Sequence, residues 1–194
     1  PWALCDDQGA LLQSGTANIA SLPKGHECVA IVAADRVLNI AAALPPGGRR
    51  RWQVVLPFVA EEFTLTDPED NHVVPGPTLA NGRRMLAVVD KAWIRRIVEA
   101  SHQAGLSLRR MVTETCLPPL AADGWTVVWD GAGGFVRTGA ASGVTLDIGD
   151  AGAAPLALRL SLDAAPQLPQ KIELRFVHEV AADQRVMPQW SDVQ

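Results

Sequence analysis

The sequence predicts a mixed α/β or α+β chain, with helices layered on sheet. Three observations predict it. Compact apolar runs of strand length recur, as at residues 28–34 and 85–89. Between them lie stretches with apolar residues at helical spacing, as at 52–63. Strands and helices alternate in mixed order, without an internal repeat or a low-complexity tract.

The elements follow in order. Residues 2–13 read as strand, turn, strand, with Asp6-Asp7-Gln8-Gly9 as the hairpin turn. Residues 17–22 suit a short helix, and 28–34 a buried strand. Asp35 lies in a turn. A second strand over 36–44 is closed by Pro45-Pro46-Gly47-Gly48. The basic run Arg49-Arg50-Arg51 stands before a helix whose core face is Trp52, Val55, Leu56, Val59, Ala60 and Phe63. Pro57 lies inside this pattern, lacks an N–H, and should kink the helix. Residues 66–71 are an acidic, proline-containing loop. Residues 72–74 begin an edge strand, 75–82 form a hairpin-like connection, and 85–89 are a buried strand. Asp90 is placed to cap the next helix. Ile94, Ile97, Val98 and Ser101 mark its buried face, and Gly105 is its stop. Residues 125–130 and 135–138 form a hairpin across Gly131-Ala132-Gly133-Gly134. A strand over 144–148, a helix over 156–164 and a strand over 171–177 complete the chain, and the tail from Ala181 is polar.

Composition narrows the function classes. The 194 residues suit one large domain or two small ones. A net charge of −4 gives no overall basic field to steer the chain toward nucleic acid. Cys5, Cys28 and Cys116 are odd in number and far apart, which argues against a disulfide framework and for thiols in a reducing compartment. No apolar run approaches the ~18 residues that span a bilayer. No charged segment followed by an apolar one marks a signal peptide. The chain reads as a piece of a longer protein, with any membrane anchor outside it.

Candidate sites are few. Glu61, Glu62, Asp67, Glu69 and Asp70 surround His72 in sequence, a set that could bind a divalent metal or perform acid/base work. The same carboxylates fit the exposed side of a helix and a loop, so a solvated acidic face open to a partner is the favoured reading. His26 and Cys28 lack further ligands nearby. His102, near a helix end, and His178, after a strand, read as surface residues. The glycine run 131–134 lacks the Lys and Ser/Thr of a phosphate loop, and the following Phe135-Val136-Arg137 reads as strand rather than helix. Ser14, Ser107 and Ser142 lack a nucleophile-elbow context. The Arg49–Arg51 run suits solvent or an acidic partner.

Segment order adds more. Val55-Leu56-Pro57-Phe58-Val59-Ala60-Glu61-Glu62 precedes Leu65-Thr66-Asp67-Pro68-Glu69-Asp70. Then come Leu86-Ala87-Val88-Val89-Asp90-Lys91-Ala92-Trp93, a helix ending Ala104-Gly105-Leu106, Cys116-Leu117-Pro118, Trp125-Thr126-Val127-Val128-Trp129, and Phe135-Val136-Arg137-Thr138-Gly139. This order over about residues 28–164 resembles the cytoplasmic region of type II secretion system protein L.

The resemblance implies an actin-like fold of ribonuclease H-like units. It divides the chain into a first part at 1–46, an inserted subdomain at 47–114 and a second part at 115–194. It implies a non-catalytic scaffold without a cofactor, on the cytoplasmic side of the bacterial inner membrane. The implied partners are the secretion ATPase (protein E) and protein M, with room for a homodimer and a transmembrane helix outside this segment. Working actin-like ATPases carry two Asp-x-Gly hairpins that hold phosphates and a metal. Here the hairpins offer Asp6-Asp7-Gln8-Gly9, whose last three residues match the bare tripeptide, and Asp130-Gly131, which does not; Asp147-Ile148-Gly149, at the end of a strand, and Asp150-Ala151-Gly152 match it as well. Because the related type IV pilus protein M carries a nucleotide site, ATP binding is the alternative function.

Overall fold

The computed structural model describes residues 1–130, 133–147 and 153–177. His178, the Gly131-Ala132 pair, Ile148-Gly149 and the tail from Ala181 lie outside the described residues.

The N-terminal hairpin joins β1 (Trp2–Cys5) to β2 (Leu11–Gly15). Gly9 takes φ +83° in its turn, a conformation that suits glycine. A 310 turn at Ile19–Ser21 replaces the expected short helix. Next come β3 (Cys28–Val32) and β4 (Leu38–Ala42). Helix α1 (Arg49–Ala60) holds the three arginines inside its first turn rather than ahead of it. It presses Leu56 and Ala60 onto Ile40, Ala42, Leu86 and Val88. Those last four come from β4 and from β6 (Arg84–Asp90), the centre of an antiparallel sheet whose other edge is β5 (Asn71–Thr78). Strand β5 runs past the expected 72–74 and continues through Pro75. That proline is tolerated because β5 is an edge strand and its ladder breaks between Pro75 and Thr78.

Two residues expected on buried helix faces are exposed, as is Ile31 of the expected buried strand. Phe63 lies beyond α1 in a 310 turn, Glu61–Phe63, and is 39% exposed. A 310 turn advances about 120° per residue instead of 100°, so Phe63 leaves the stripe that α1 sets up. Val98, on α2 (Lys91–Gln103), is also exposed, while Ile94 and Ile97 are half-buried and Ser101 is buried. The Asp90 carboxylate caps α2 by accepting from the Trp93 amide. At the other end Gly105 (φ +69°) donates to the His102 carbonyl and Leu106 to that of Ser101, which closes α2 in a Schellman motif.

Strand β7 (Leu108–Thr113) follows α2 and runs parallel to β3. It has no counterpart among the expected elements. Val32, Val37 and Val89 form a small core here, against Trp93, Ile94 and Met111. The last sheet has the order β10-β9-β8-β11. Its strands are β8 (Gly124–Trp129), β9 (Gly134–Gly139), β10 (Ser142–Leu146) and β11 (Lys171–Phe176), the last parallel to β8. Alternation along β8 sends Trp125, Val127 and Trp129 to one face, where Leu158 of α3 (Leu156–Asp163) covers them. Thr126, on the opposite face, is fully buried and donates its hydroxyl to the Pro119 carbonyl at 2.9 Å.

Candidate docking surface and the hairpin carboxylates

The acidic residues come from two short turns: the 310 turn that ends α1 and a second one at Pro68–Asp70. Glu61, Glu62, Asp67, Glu69 and Asp70 are all exposed, as is His72. Among the described residues none of these carboxylates joins an ion pair, and no group of three or more His, Cys, Asp or Glu stands close enough to hold a metal ion.

The loop carrying them is braced from beneath by Asn71, which is buried. Its amide nitrogen donates to Thr64 Oγ1 and to the Asp67 carbonyl, both at 3.3 Å. Its amide oxygen accepts from Thr66 Oγ1 at 3.0 Å. Lys91 Nζ reaches the Glu69 carbonyl at 3.1 Å from the start of α2. These bonds fix residues 64–71 in one shape while leaving the carboxylates free in water. Leu65, at the loop's crest, is 109% exposed. Beside it opens a cleft of about 550 Å³, walled by Leu38, Phe63, Val88 and Val144 and edged by Asp35 and Asp70. A protruding apolar residue, a largely apolar cleft and carboxylates without ion pairs thus lie side by side.

Asp6, Asp130 and Asp147 have structural partners. Asp6 Oδ1 accepts from the amides of Gln8 at 2.9 Å and Ala10 at 2.8 Å, which shapes the β1–β2 turn. Asp130 Oδ1 accepts from the Gly133 amide at 2.8 Å. Asp147 caps α3 from a distance in sequence: its carboxylate accepts from Ala157 at 2.9 Å and Leu156 at 3.2 Å. The Ala157 bond holds the Asp147 carboxyl below its ordinary 3.8, helped by the Leu156 amide and the charge of Arg159. Asp6, Asp130 and Asp147 thus hold the protein's own backbone amides, while Asp7 stands exposed in the β1–β2 turn. The remaining candidates stay separate. His26 and His102 are exposed, and Cys28 is half-buried at the start of β3.

The sequence reading missed two polar residues. Asn71 carried no signal beyond its place next to a turn. Arg137 sits in a motif that was noted, but its role is visible only in the fold: its guanidinium donates to the carbonyls of Cys116, Pro118, Gly139 and Ala140.

Comparison with known proteins agrees with this architecture. Residues 8–159 match the family model described as Type II secretion system (T2SS), protein L. A protein L of Vibrio cholerae serotype O1 is 25% identical over 131 residues, covering 66% of this chain and 31% of the relative. A protein L of Pseudomonas aeruginosa is 33% identical over 87 residues, covering 43% of this chain and 22% of the relative. The chain therefore spans a third or less of the length of these two relatives. Among solved structures, the cytoplasmic domain of EpsL, an inner membrane component of the Vibrio cholerae type II secretion system, superposes with a TM-score of 0.65. That match has 20% identity and covers 93% of this chain and 83% of the other. The fold is accordingly of the actin-like, ribonuclease H-like kind. Among the described residues no helix is long and apolar enough to cross a membrane.

Proposed function

Because the chain belongs to the type II secretion system protein L family, we propose that it is a non-catalytic scaffold on the cytoplasmic face of the bacterial inner membrane. It recruits the secretion ATPase, protein E, and couples it to the membrane platform alongside protein M, held there by a membrane helix outside this segment. The observation that carries this reading is the braced acidic loop. Leu65 and the carboxylates of Glu61, Glu62, Asp67, Glu69 and Asp70 are held out by Asn71 with no partner among the described residues and no catalytic group. The hairpin aspartates favour this over nucleotide binding, since Asp6, Asp130 and Asp147 each hold backbone amides.

We also place the start of the inserted unit ahead of β4 rather than at residue 47. Strand β4 pairs with β6, and the whole β4-β6-β5 sheet with α1 and α2 lies between the parallel neighbours β3 and β7.

Titration calorimetry with the N-terminal fragment of the ATPase from the same bacterium tests the scaffold. Saturable binding that weakens with salt is expected. Asp67→Lys/Glu69→Lys/Asp70→Lys should fold normally and lose at least about tenfold in affinity. Absence of binding by the parent would overturn the scaffold reading. Parental affinity in a folded triple variant would move the contact off the acidic loop.

A further inference from the structure

The sheet β4-β6-β5 and helix α1 carry their charges at opposite ends. Between residues 37 and 60, and between 72 and 89, the only Asp, Glu, Lys or Arg residues are Arg49, Arg50, Arg51, Arg83 and Arg84. Between 61 and 71 they are Glu61, Glu62, Asp67, Glu69 and Asp70. The fold turns this order in sequence into a separation in space. Arg84 opens β6 beside Ala42 of β4, and Arg50 and Arg51 lie in the first turn of α1. Asp90 closes β6 beside Asn71, and the acidic turns lie between α1 and β5. The length of α1 at about 1.5 Å per residue, and of β6 at about 3.3 Å per residue, sets the two ends about 20 Å apart.

The arginine end is held in shape and left open. Trp52, in the first turn of α1, donates its indole N–H to the Pro45 carbonyl at 3.3 Å. The Arg84 guanidinium lies over the Trp52 ring, 4.8 Å from its centre. It also donates to the Gly76 carbonyl at 3.0 Å and to Thr78 Oγ1 at 2.8 Å. These contacts draw the start of β6 up to the start of α1. Around them Arg50, Arg51 and Arg83 are exposed and join no ion pair among the described residues. Val54 stands one helical turn beyond Arg50 and Arg51 and is 68% exposed. Two costs are left standing within the chain. The arginines repel one another, and Arg50 and Arg51 sit at the positive end of the α1 dipole, where no side chain caps the first turn. Carboxylates laid on this end relieve both.

We infer that the arginine end docks an acidic peptide segment of another protein, with an apolar side chain of that segment against Val54. Carboxylates fit guanidinium forks in bidentate pairs. A bilayer surface fits less well. Arg84 is pinned on Trp52 and cannot follow mobile headgroups, whereas a pre-oriented guanidinium favours a partner that presents its carboxylates in one geometry. The inference does not rest on ATPase docking, because the carboxylates proposed for that contact stand at the other end.

Fluorescence anisotropy tests it, with a labelled peptide of glutamate and interspersed leucine titrated with the 194-residue chain. The parent should bind, more weakly as salt rises. The same peptide with glutamine in place of glutamate should not bind. Arg50→Glu/Arg83→Glu alters exposed side chains only, so it should melt like the parent and bind at least about tenfold more weakly. Arg84→Lys keeps the charge and loses the fork, so it should also weaken binding. Asp67→Lys/Glu69→Lys/Asp70→Lys should bind the peptide at least as well as the parent. Vesicles of phosphatidylglycerol form the second arm. A parent that ignores the peptide and binds these vesicles through the same arginines would give the surface to a membrane and overturn the inference. A parent that binds neither, a folded Arg50→Glu/Arg83→Glu variant with parental affinity, or a loop variant that loses the peptide would overturn it as well. Failure of the ATPase titration leaves this inference standing, and failure here leaves the scaffold reading standing, because each is read on its own partner.

Discussion

Arg137 Nη1 donates to the carbonyl oxygen of Cys116 at 2.6 Å, tying β9 to the turn that follows β7. The same guanidinium reaches the carbonyls of Pro118, Gly139 and Ala140. One planar fork thus joins two sheets through backbone acceptors that no other side chain could serve at once. Arg137→Ala should lower the unfolding free energy by about 2–3 kcal/mol, read as a lower urea midpoint at unchanged slope. Arg137→Lys should recover less than half of that loss, because an ammonium cannot satisfy the divergent carbonyls.

Asp147 provides a pH dependence. Its carboxyl is held below 3.8 mainly by the Ala157 amide, so the folded state favours the ionised form. The stabilisation is therefore fully present above pH 3.8 and is lost as pH falls through the lower folded value. Asp147 is exposed, which screens the effect. Asp147→Ala should cost about 0.5–1 kcal/mol at pH 7, and the gap from the parent should narrow as melts are carried to pH values that protonate the folded carboxyl.

Truncations separate the two sides of α1. Leu56→Ala should cost about 2–5 kcal/mol, since the side chain is buried between β4 and β6. Phe63→Ala should cost no more than about 1 kcal/mol despite the larger side chain, because much of the ring is already in water. Equal losses in thermal melts of the two variants would mean that Phe63 is covered in solution.

Nucleotide should leave the fold unaffected. A ligand at about 100 times its dissociation constant adds about 2.7 kcal/mol to the native state, enough for a visible rise in melting temperature. Millimolar Mg-ATP is expected to give none, since Asp6, Asp130 and Asp147 hold backbone amides and leave only Asp7 of the hairpin aspartates to meet a phosphate-bound metal. A clear rise would restore the nucleotide reading.

Much of the fold was legible where local signals agreed. The β8–β9 hairpin showed as apolar alternation around glycines, α3 as an apolar run, and the start of α2 as a cap residue before a helical pattern. Strand β7 was not legible, because Arg109 and Arg110 interrupt the alternation and its pairing partner lies far away in sequence. Phe63 misled because helical spacing continued in the sequence after the helix had tightened. Of the candidate surface, the exposure of the five carboxylates could be read from their charge. The bracing by Asn71, and the placing of Leu65 at a crest, depend on contacts that residue order does not reveal.

The parallel pairing of β3 with β7 also bears on how the chain is made. The last residue of β3 is Val32 and its partner strand ends at Thr113. At a synthesis rate of about 5–20 residues per second, β3 waits roughly 4–16 s on the ribosome before its neighbour exists. Strand β8 likewise waits for β11, whose last residue is Phe176. During these intervals apolar strands such as Cys28–Val32 present open edges to the cytosol. Slowing translation between residues 32 and 113 prolongs this exposure and should lower the soluble yield more than slowing it after 176.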